Sequence, residues 1–172
     1  MQNTELAGLI HSVAAGDAGA LEKIFIGMKD AVFTYALTYV KSRAAAEDVL
    51  QDTMLKVWRN AKDYKNSGSA RAWVLVIARN TAVDAVRRVS REIPFDDGLE
   101  ETALSYAPDE ARGELAGMLE QLAPADRRIV LLHAVAGLKH REAAKLLNLP
   151  LGTVCRRYAQ SVSRLRRLYE AR

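Results

Sequence analysis

A single cysteine, Cys155, is present in 172 residues, so no internal disulfide can form and nothing asks for an oxidising compartment. Proline and glycine are scarce, at 4 and 10 residues, and no window sustains the period-two alternation of a half-buried strand. No apolar run reaches the length of a bilayer span. The opening MQNTELAGLI has neither the basic segment nor the long apolar run of a secretion signal. A cytoplasmic protein without membrane insertion is expected. The three histidines, His11, His133 and His140, are scattered, and there is no glycine-rich phosphate loop, Ser/His/Asp set or paired metal-ligand spacing. These absences point away from an enzyme, and no cofactor or metal is expected.

What the chain does have is Ala, Leu, Arg, Lys and Glu in abundance, with a hydrophobic fraction of 49%, enough for packed helical cores. An all-α fold is predicted. The net charge of +4 is unevenly spread: residues 1–92 carry a net +3, residues 93–113 a net −5 with six acids against one arginine, and residues 114–172 a net +6. Two basic parts flank an acidic connector that contains Pro94 and Pro108. That division predicts domains at 1–92 and 114–172, joined by a linker at 93–113 that is a poor core former and would repel a polyanion.

In the first part, Thr4 can cap a short helix burying Leu6, Leu9, Ile10 and Val13; Gly16 breaks it and Asp17 caps the next. The second helix, with Leu21, Ile24, Phe25, Met28, Val32, Tyr35 and Tyr39 on one face, is predicted to run to about Val40 and to be closed by Lys41, Ser42 and Arg43. A third, from about Ala44 to Ala61, would bury Val49, Leu50, Met54, Val57 and Trp58. Turn-forming residues from Asp63 to Ser69 precede a fourth, near Ala70 to Ser90, with Trp73, Val76, Ile77, Val83 and Val86 mostly inward. Helices near 110–122 and 127–136 follow the connector.

The most informative stretch is 138–168, LKHREAAKLLNLPLGTVCRRYAQSVSRLRRL. A short helix, a tight turn and a longer basic helix follow one another, with small Ala144 at the crossing, Asn148 suited to a left-handed turn and Val154 as apolar anchor. This is helix-turn-helix spacing. Val154, Tyr158, Val162, Leu165 and Leu168 predict the buried stripe of the last helix, and Arg156, Gln160, Ser163 and Arg167 the exposed one, flanked by Arg157 and Arg164. Such a face can meet phosphates while an Arg or Gln near its start reads a base edge.

Two further constellations stand in the first part. On the third helix Asp48, Asp52, Leu55 and Arg59, with Gln51, predict an exposed leucine ringed by polar groups, a pattern suited to a protein contact. On the fourth, Asn80, Asp84, Arg87 and Arg91 recur at helical spacing beside Arg79 and Arg88. With Lys65, Asn66 and Ser67 in the preceding loop, this stripe suits nucleic acid and could close around an unstacked base.

The segments AAEDVLQDTMLKVWRN, ARAWVLVIARNTAVDAVRR and LAPADRRIVLLHAVAGLKHREAAKLLNLPLGTVCRR resemble, in order, regions 2 and 4 of the extracytoplasmic-function sigma factors of the sigma-70 family. The resemblance implies a region 2 helical bundle and a region 4 helix-turn-helix, binding to core RNA polymerase through its β′ clamp helices and β flap, and to promoter DNA. It also implies control by an anti-sigma factor. Carried over by position, Asp48, Gln51, Asp52, Leu55 and Trp58 match the clamp-docking segment. Lys65, Asn66, Ser67 and Arg71 match the loop that captures a flipped base of the −10 element, and Asn80, Asp84, Arg87 and Arg88 the helix that reads and melts it. Pro150, Gly152, Thr153, Cys155, Arg156, Arg157 and Gln160 match the region entering the −35 major groove.

The chain departs from the family pattern in two places. Lys139 stands where a small hydroxyl residue usually caps the helix, a loss of about 1 kcal/mol. Cys155, Arg156 and Arg157, then Gln160, Ser161 and Val162, replace the usual residues after Gly-Thr-Val, so no −35 preference can be borrowed. Two other readings stay open on residues alone: a dimeric helix-turn-helix transcription regulator, and a polymerase-binding adaptor without initiation activity.

Overall fold

The structure is a computed structural model and describes residues 1–40, 42–66, 68–92 and 113–171. Among these, α-helices and one 3-10 turn are the only regular elements. The chain divides into two compact units, Met1–Phe95 and Asp96–Arg172. The acidic connector lies outside the described residues, apart from Gly113, which opens a helix.

The first unit packs α1 (Asn3–Ala14), α2 (Ala18–Ala36), α3 (Arg43–Asn60) and α4 (Ala70–Glu92), with the 3-10 turn Ala61–Asp63 following α3. Leu6, Ile10, Ile24, Met28, Val32, Tyr35, Val49, Val57 and Leu75 are essentially fully buried. They fall at the three- and four-residue spacings that place apolar side chains on one helix face. Toward one end Ala36, Ala46 and Ala82 join Val40 and Val49, and their small side chains let the helices approach closely.

Local chemistry sets most boundaries. Gly16 adopts φ +94°, a turn open to glycine at little steric cost, and the Asp17 carboxylate accepts from the Ala20 N–H at 3.1 Å. The Ser42 hydroxyl accepts from Ala45 N–H at 3.1 Å, so Ser42 begins α3 rather than closing α2. Lys41 lies outside the described residues. α2 stops at Ala36 and the chain proceeds through turns, with the Thr38 hydroxyl donating to the Tyr35 carbonyl at 2.7 Å. Its apolar period continues into buried Val40, which is why the helix looks longer in sequence. α1 is capped at Gln2, not Thr4, because Glu5 at the third helical position accepts from the Gln2 N–H at 3.2 Å.

Several burial expectations shift by one position. Val57 takes the inward place on α3 and Trp58, about 100° further round, is 38% exposed. On α4 the buried set is Ala70, Val74, Leu75, Ala78, Thr81 and Ala82; Trp73, Ile77, Val83 and Val86 are half-buried and Val76 is exposed. Alanines at the contact bring α4 near its neighbours and move bulkier side chains to the margins. Leu9, Leu21 and Tyr39 are likewise half-buried, and Phe25 is exposed.

The second unit holds α5 (Gly113–Glu120), α6 (Pro124–Ala134), α7 (His140–Leu147) and α8 (Leu151–Glu170) around Ile129, Leu132, Leu138, Ala143 and Val154. Pro124 occupies the first position of α6, where its missing N–H costs nothing. The Arg127 guanidinium donates to the carbonyls of Leu119 at 2.9 Å and Glu120 at 2.8 Å, covering the otherwise open end of α5. Partial burial lowers its pKa, against the raising influence of Glu120. Asn148 sits at φ 54°, ψ 45° and ends α7 in the left-handed region, with Leu149 N–H donating to the Ala144 carbonyl at 2.9 Å. Lys139 supplies no side-chain cap, but the Glu142 carboxylate accepts from its N–H at 2.8 Å. On α8 only Val154 and Ser161 are buried; Tyr158, Leu165 and Leu168 are half-buried and Val162 is exposed. Ser161 can sit inward because its hydroxyl donates to the Arg157 carbonyl at 2.8 Å.

Candidate nucleic-acid and partner surfaces

The outer strip of α3 runs through Asp48, Gln51, Asp52, Leu55 and Trp58. Leu55 is 51% exposed, Asp48 and Gln51 are exposed, and Asp52 is half-buried. Steps of three and four residues bring them into one line. Trp58 joins this line as a surface aromatic rather than a core residue, which adds to a strip able to meet an apolar and basic partner.

Between α3 and α4 lies a groove of about 430 Å³, lined by Asp52, Leu55, Lys56, Arg59, Asp84 and Arg88. Two site assignments kept separate in sequence therefore share one surface. The Lys56 ammonium donates to the Thr81 hydroxyl at 3.0 Å and stands 3.9 Å from Asp84, while Arg88 stands 3.9 Å from Asp52. Exposed pairs at such distances contribute about 0–1 kcal/mol and leave the side chains available to a partner. Lys56 was missed in sequence; its only signal was its position one turn after Asp52.

Asn80, Asp84, Arg87 and Arg88 are all exposed on α4; the Arg91 side chain lies outside the described residues. In the loop before α4, Tyr64 is buried against His11 and Trp73, with ring centroids at 5.6 and 5.1 Å. Burial raises its pKa, and its hydroxyl donates to Asn66 Oδ1 at 3.4 Å. This aromatic anchor holds the base of the loop, while Lys65 and Asn66 are exposed. Ser67 lies outside the described residues. Arg71 is half-buried: its guanidinium donates to the Met1 carbonyl and its N–H to Asn3 Oδ1 at 3.2 Å. Asn3 also accepts from Ser69, whose hydroxyl in turn accepts from Ala72 N–H. The start of α1 thereby braces the loop, a long-range contact without a local sequence signature.

In the second unit, the exposed N-terminal half of α8 carries Gly152, Cys155, Arg156 and Gln160. Pro150, also exposed, sets its entry, and Thr153 is half-buried. Arg157 points elsewhere. Its Nε donates to Asp126 Oδ1 at 2.6 Å, in a pair whose side chains are only 30% and 28% exposed. The two histidines of this unit also come together, stacked at 4.4 Å with Tyr158 4.8 Å from each. The His133 ring is fixed to the Leu138 carbonyl at 2.8 Å. They pack the α6, α7 and α8 junction, which their sequence separation did not reveal.

Among the described residues, no group of three or more His, Cys, Asp or Glu side chains is placed to hold a metal ion. No helix among them is long and apolar enough to cross a membrane.

Residues 26–92 match the family model for sigma-70 region 2, and residues 112–165 that for sigma-70 region 4. The chain is 31% identical to the ECF RNA polymerase sigma factor SigK of Mycolicibacterium vanbaalenii, over 95% of this chain and 88% of that protein. It is 28% identical to the SigK of Mycobacterium bovis, over 95% and 93%. Among solved structures, the fold is similar to that of CnrH in complex with the cytosolic domain of CnrY. The TM-score is 0.66 at 24% identity, covering 97% of this chain and 98% of that one. It is also similar to that of the sigma factor RpoE in complex with the anti-sigma factor NepR from Bartonella quintana. There the TM-score is 0.65 at 21% identity, over 87% and 96%.

Proposed function

We propose that this chain, which belongs to the extracytoplasmic-function sigma factors of the sigma-70 family, directs core RNA polymerase to promoters through three sets of side chains, two of them bordering one groove, and is held in check by an anti-sigma factor. The observation that carries this reading is the presence, in one chain and in order, of region 2 and region 4 matches. On those two units stand an exposed acidic and apolar strip, a polar stripe on α4 and a basic helix-turn-helix.

Asp48, Gln51, Asp52, Leu55 and Trp58 on α3 are assigned to the clamp helices of the polymerase β′ subunit, and the second unit to the β flap. Lys65, Asn66, Ser67 and Arg71 are assigned to capture of an extruded −10 base, and Asn80, Asp84, Arg87 and Arg88 to reading and melting that element. Pro150, Gly152, Thr153, Cys155, Arg156 and Gln160 are assigned to the −35 major groove.

The chemistry of RNA synthesis belongs to the polymerase, so binding energy is this chain's whole contribution. Unpairing and extruding a base costs a few kcal/mol. Capture of that base and basic contacts to phosphates offset the cost. Two weakly binding units on one tether gain from linkage when the polymerase holds their DNA elements at the right separation. Work alongside the polymerase places the protein in the cytoplasm. An anti-sigma factor would cover the apolar docking strip while the protein is free; the similarity in fold to a sigma factor solved with such a partner supports this.

The test is reconstitution: full chain with bacterial core RNA polymerase, capture on immobilised core, then run-off transcription from genomic fragments. Capture with new start sites is expected. A regulator would not make bare core initiate, and an adaptor would be captured without initiation.

A further inference from the structure

We infer that Arg157 is a positioning residue for promoter recognition, acting through Asp126 to fix the rotation of α8, rather than a phosphate contact. The inference rests on the sigma-factor reading and refines its −35 surface. Arg156 and Arg157 are adjacent in sequence and look equally suited to DNA, yet they point differently. Arg156 is exposed. Arg157 reaches α6 and meets the Asp126 carboxylate at 2.6 Å, with less than a third of either side chain exposed.

The geometry explains why this pair governs aim. Only Val154 and Ser161 are fully buried on α8, among 20 helical residues, and Tyr158, Leu165 and Leu168 are half-buried, so a directional ion pair adds to that packing in fixing rotation about the helix axis. Arg157 lies between them, three residues after Val154 and four before Ser161, and its carbonyl accepts the Ser161 hydroxyl at 2.8 Å. Its partner Asp126 is in the first turn of α6, where a carboxylate is favoured by the helix dipole. The next residue, Arg127, holds the last carbonyls of α5. One end of α6 thus ties down α5 and α8 together. A planar guanidinium fixes orientation better than a flexible ammonium, and major-groove reading depends on side-chain aim.

The sign of one substitution separates the two roles. Asp126→Asn removes a negative charge from a DNA-binding unit, so electrostatics alone would tighten binding to every duplex. A positioning role requires the specific affinity to fall relative to the non-specific one.

The experiment uses holoenzyme assembled from the full chain and core RNA polymerase. Its probes are duplexes enriched by the wild-type holoenzyme from a random-sequence pool, and the same duplexes with the upstream element shuffled. Affinity for both is measured across a salt series. Asp126→Asn and Arg157→Met are each expected to lower the ratio of enriched to shuffled affinity about tenfold, the scale of one misaligned base contact. The double variant should be no worse than either, and the salt slope should be unchanged in all three. Arg156→Ala, the control, should lower the slope by about one.

Additive losses, an unchanged ratio in Asp126→Asn, or a slope lowered by about one in Arg157→Met would overturn the assignment. Should Arg157→Met lose helical signal, Arg157→Lys replaces it: a positioning role predicts a reduced ratio with the slope intact, a phosphate contact neither change. Failure of the wild-type holoenzyme to enrich any sequence would remove the sigma-factor reading and this assignment with it.

Discussion

The two units solve the same problem, presenting polar side chains on a fixed helix surface, with different resources. The first sandwiches large fully buried residues, including Tyr35, Met28 and Leu75, between four helices of 12 to 23 residues. Its proposed contact faces are what remains once that core is filled. The second has two helices of only 8 residues, and it supplements a smaller apolar core with polar braces: Arg127 on α5, Asp126 on Arg157 and the His133 ring on Leu138. Apolar packing is tolerant of neighbours and hydrogen-bonded pairs are directional. The first surface should therefore withstand substitution near it, and the second should lose aim before it loses fold.

The strongest challenge to that contrast is a matched pair of core truncations. Leu75→Ala and Leu132→Ala should each cost about 2–5 kcal/mol. In the second unit that is the larger fraction of a smaller total, so Leu132→Ala should abolish its cooperative transition. Both tryptophans, Trp58 and Trp73, are in the first unit, so their fluorescence should still report an unshifted melt. A parallel shift in both variants would mean that the units unfold as one.

The next test splits function within the first unit. Asn80→Ala on holoenzyme should slow promoter opening about tenfold, on the scale of one lost hydrogen-bonded base contact of about 1–3 kcal/mol, and leave core binding within about twofold. Permanganate reactivity of unpaired thymines reads the first and a pull-down titration the second. Equal loss of both would remove the α4 stripe from the melting role.

A smaller gain is expected where the second unit lacks a cap. Lys139→Ser would complete the reciprocal pair already half-made by Glu142, and should raise the C-terminal transition by about 1 kcal/mol. No gain in thermal unfolding would show that Glu142 alone suffices.

The smallest effect concerns pH. Burial favours the neutral Tyr64 phenol, so its folded pKa lies above the unfolded value. The associated stability is intact below pH about 10 and declines as pH rises toward the folded value. Tyr64→Phe should make this alkaline decline in the first unit shallower. An identical profile would show that the phenol stays accessible to solvent in the fold.

Features decided within a few residues were legible in sequence. Asp17 caps because its carboxylate reaches an N–H three residues on, Asn148 ends α7 because it tolerates a left-handed backbone, and the exposed stripe of α4 follows from helical period. The misplaced features involve choosing among several apolar or basic faces. Val57 and Trp58 are neighbours of similar character, and only the packing of α3 against α2 and α4 turns one in and the other out. Ser161 displaces Val162 from the inner stripe because a hydroxyl satisfied by its own helix can be buried, while α8 extends past the apolar core.

By itself, then, the sequence determined an all-α chain, its helix-turn-helix, its basic and acidic blocks and the kinship those motifs carry, since all depend on local period, charge and turn chemistry. Tertiary structure alone decided that Arg157 serves Asp126, that the α3 and α4 assignments border one groove, that Asn3 braces the loop before α4, and that His133 stacks on His140. Each of these joins residues from different elements, and a side chain's partner is set by how the backbones around it pack, which no local spacing encodes.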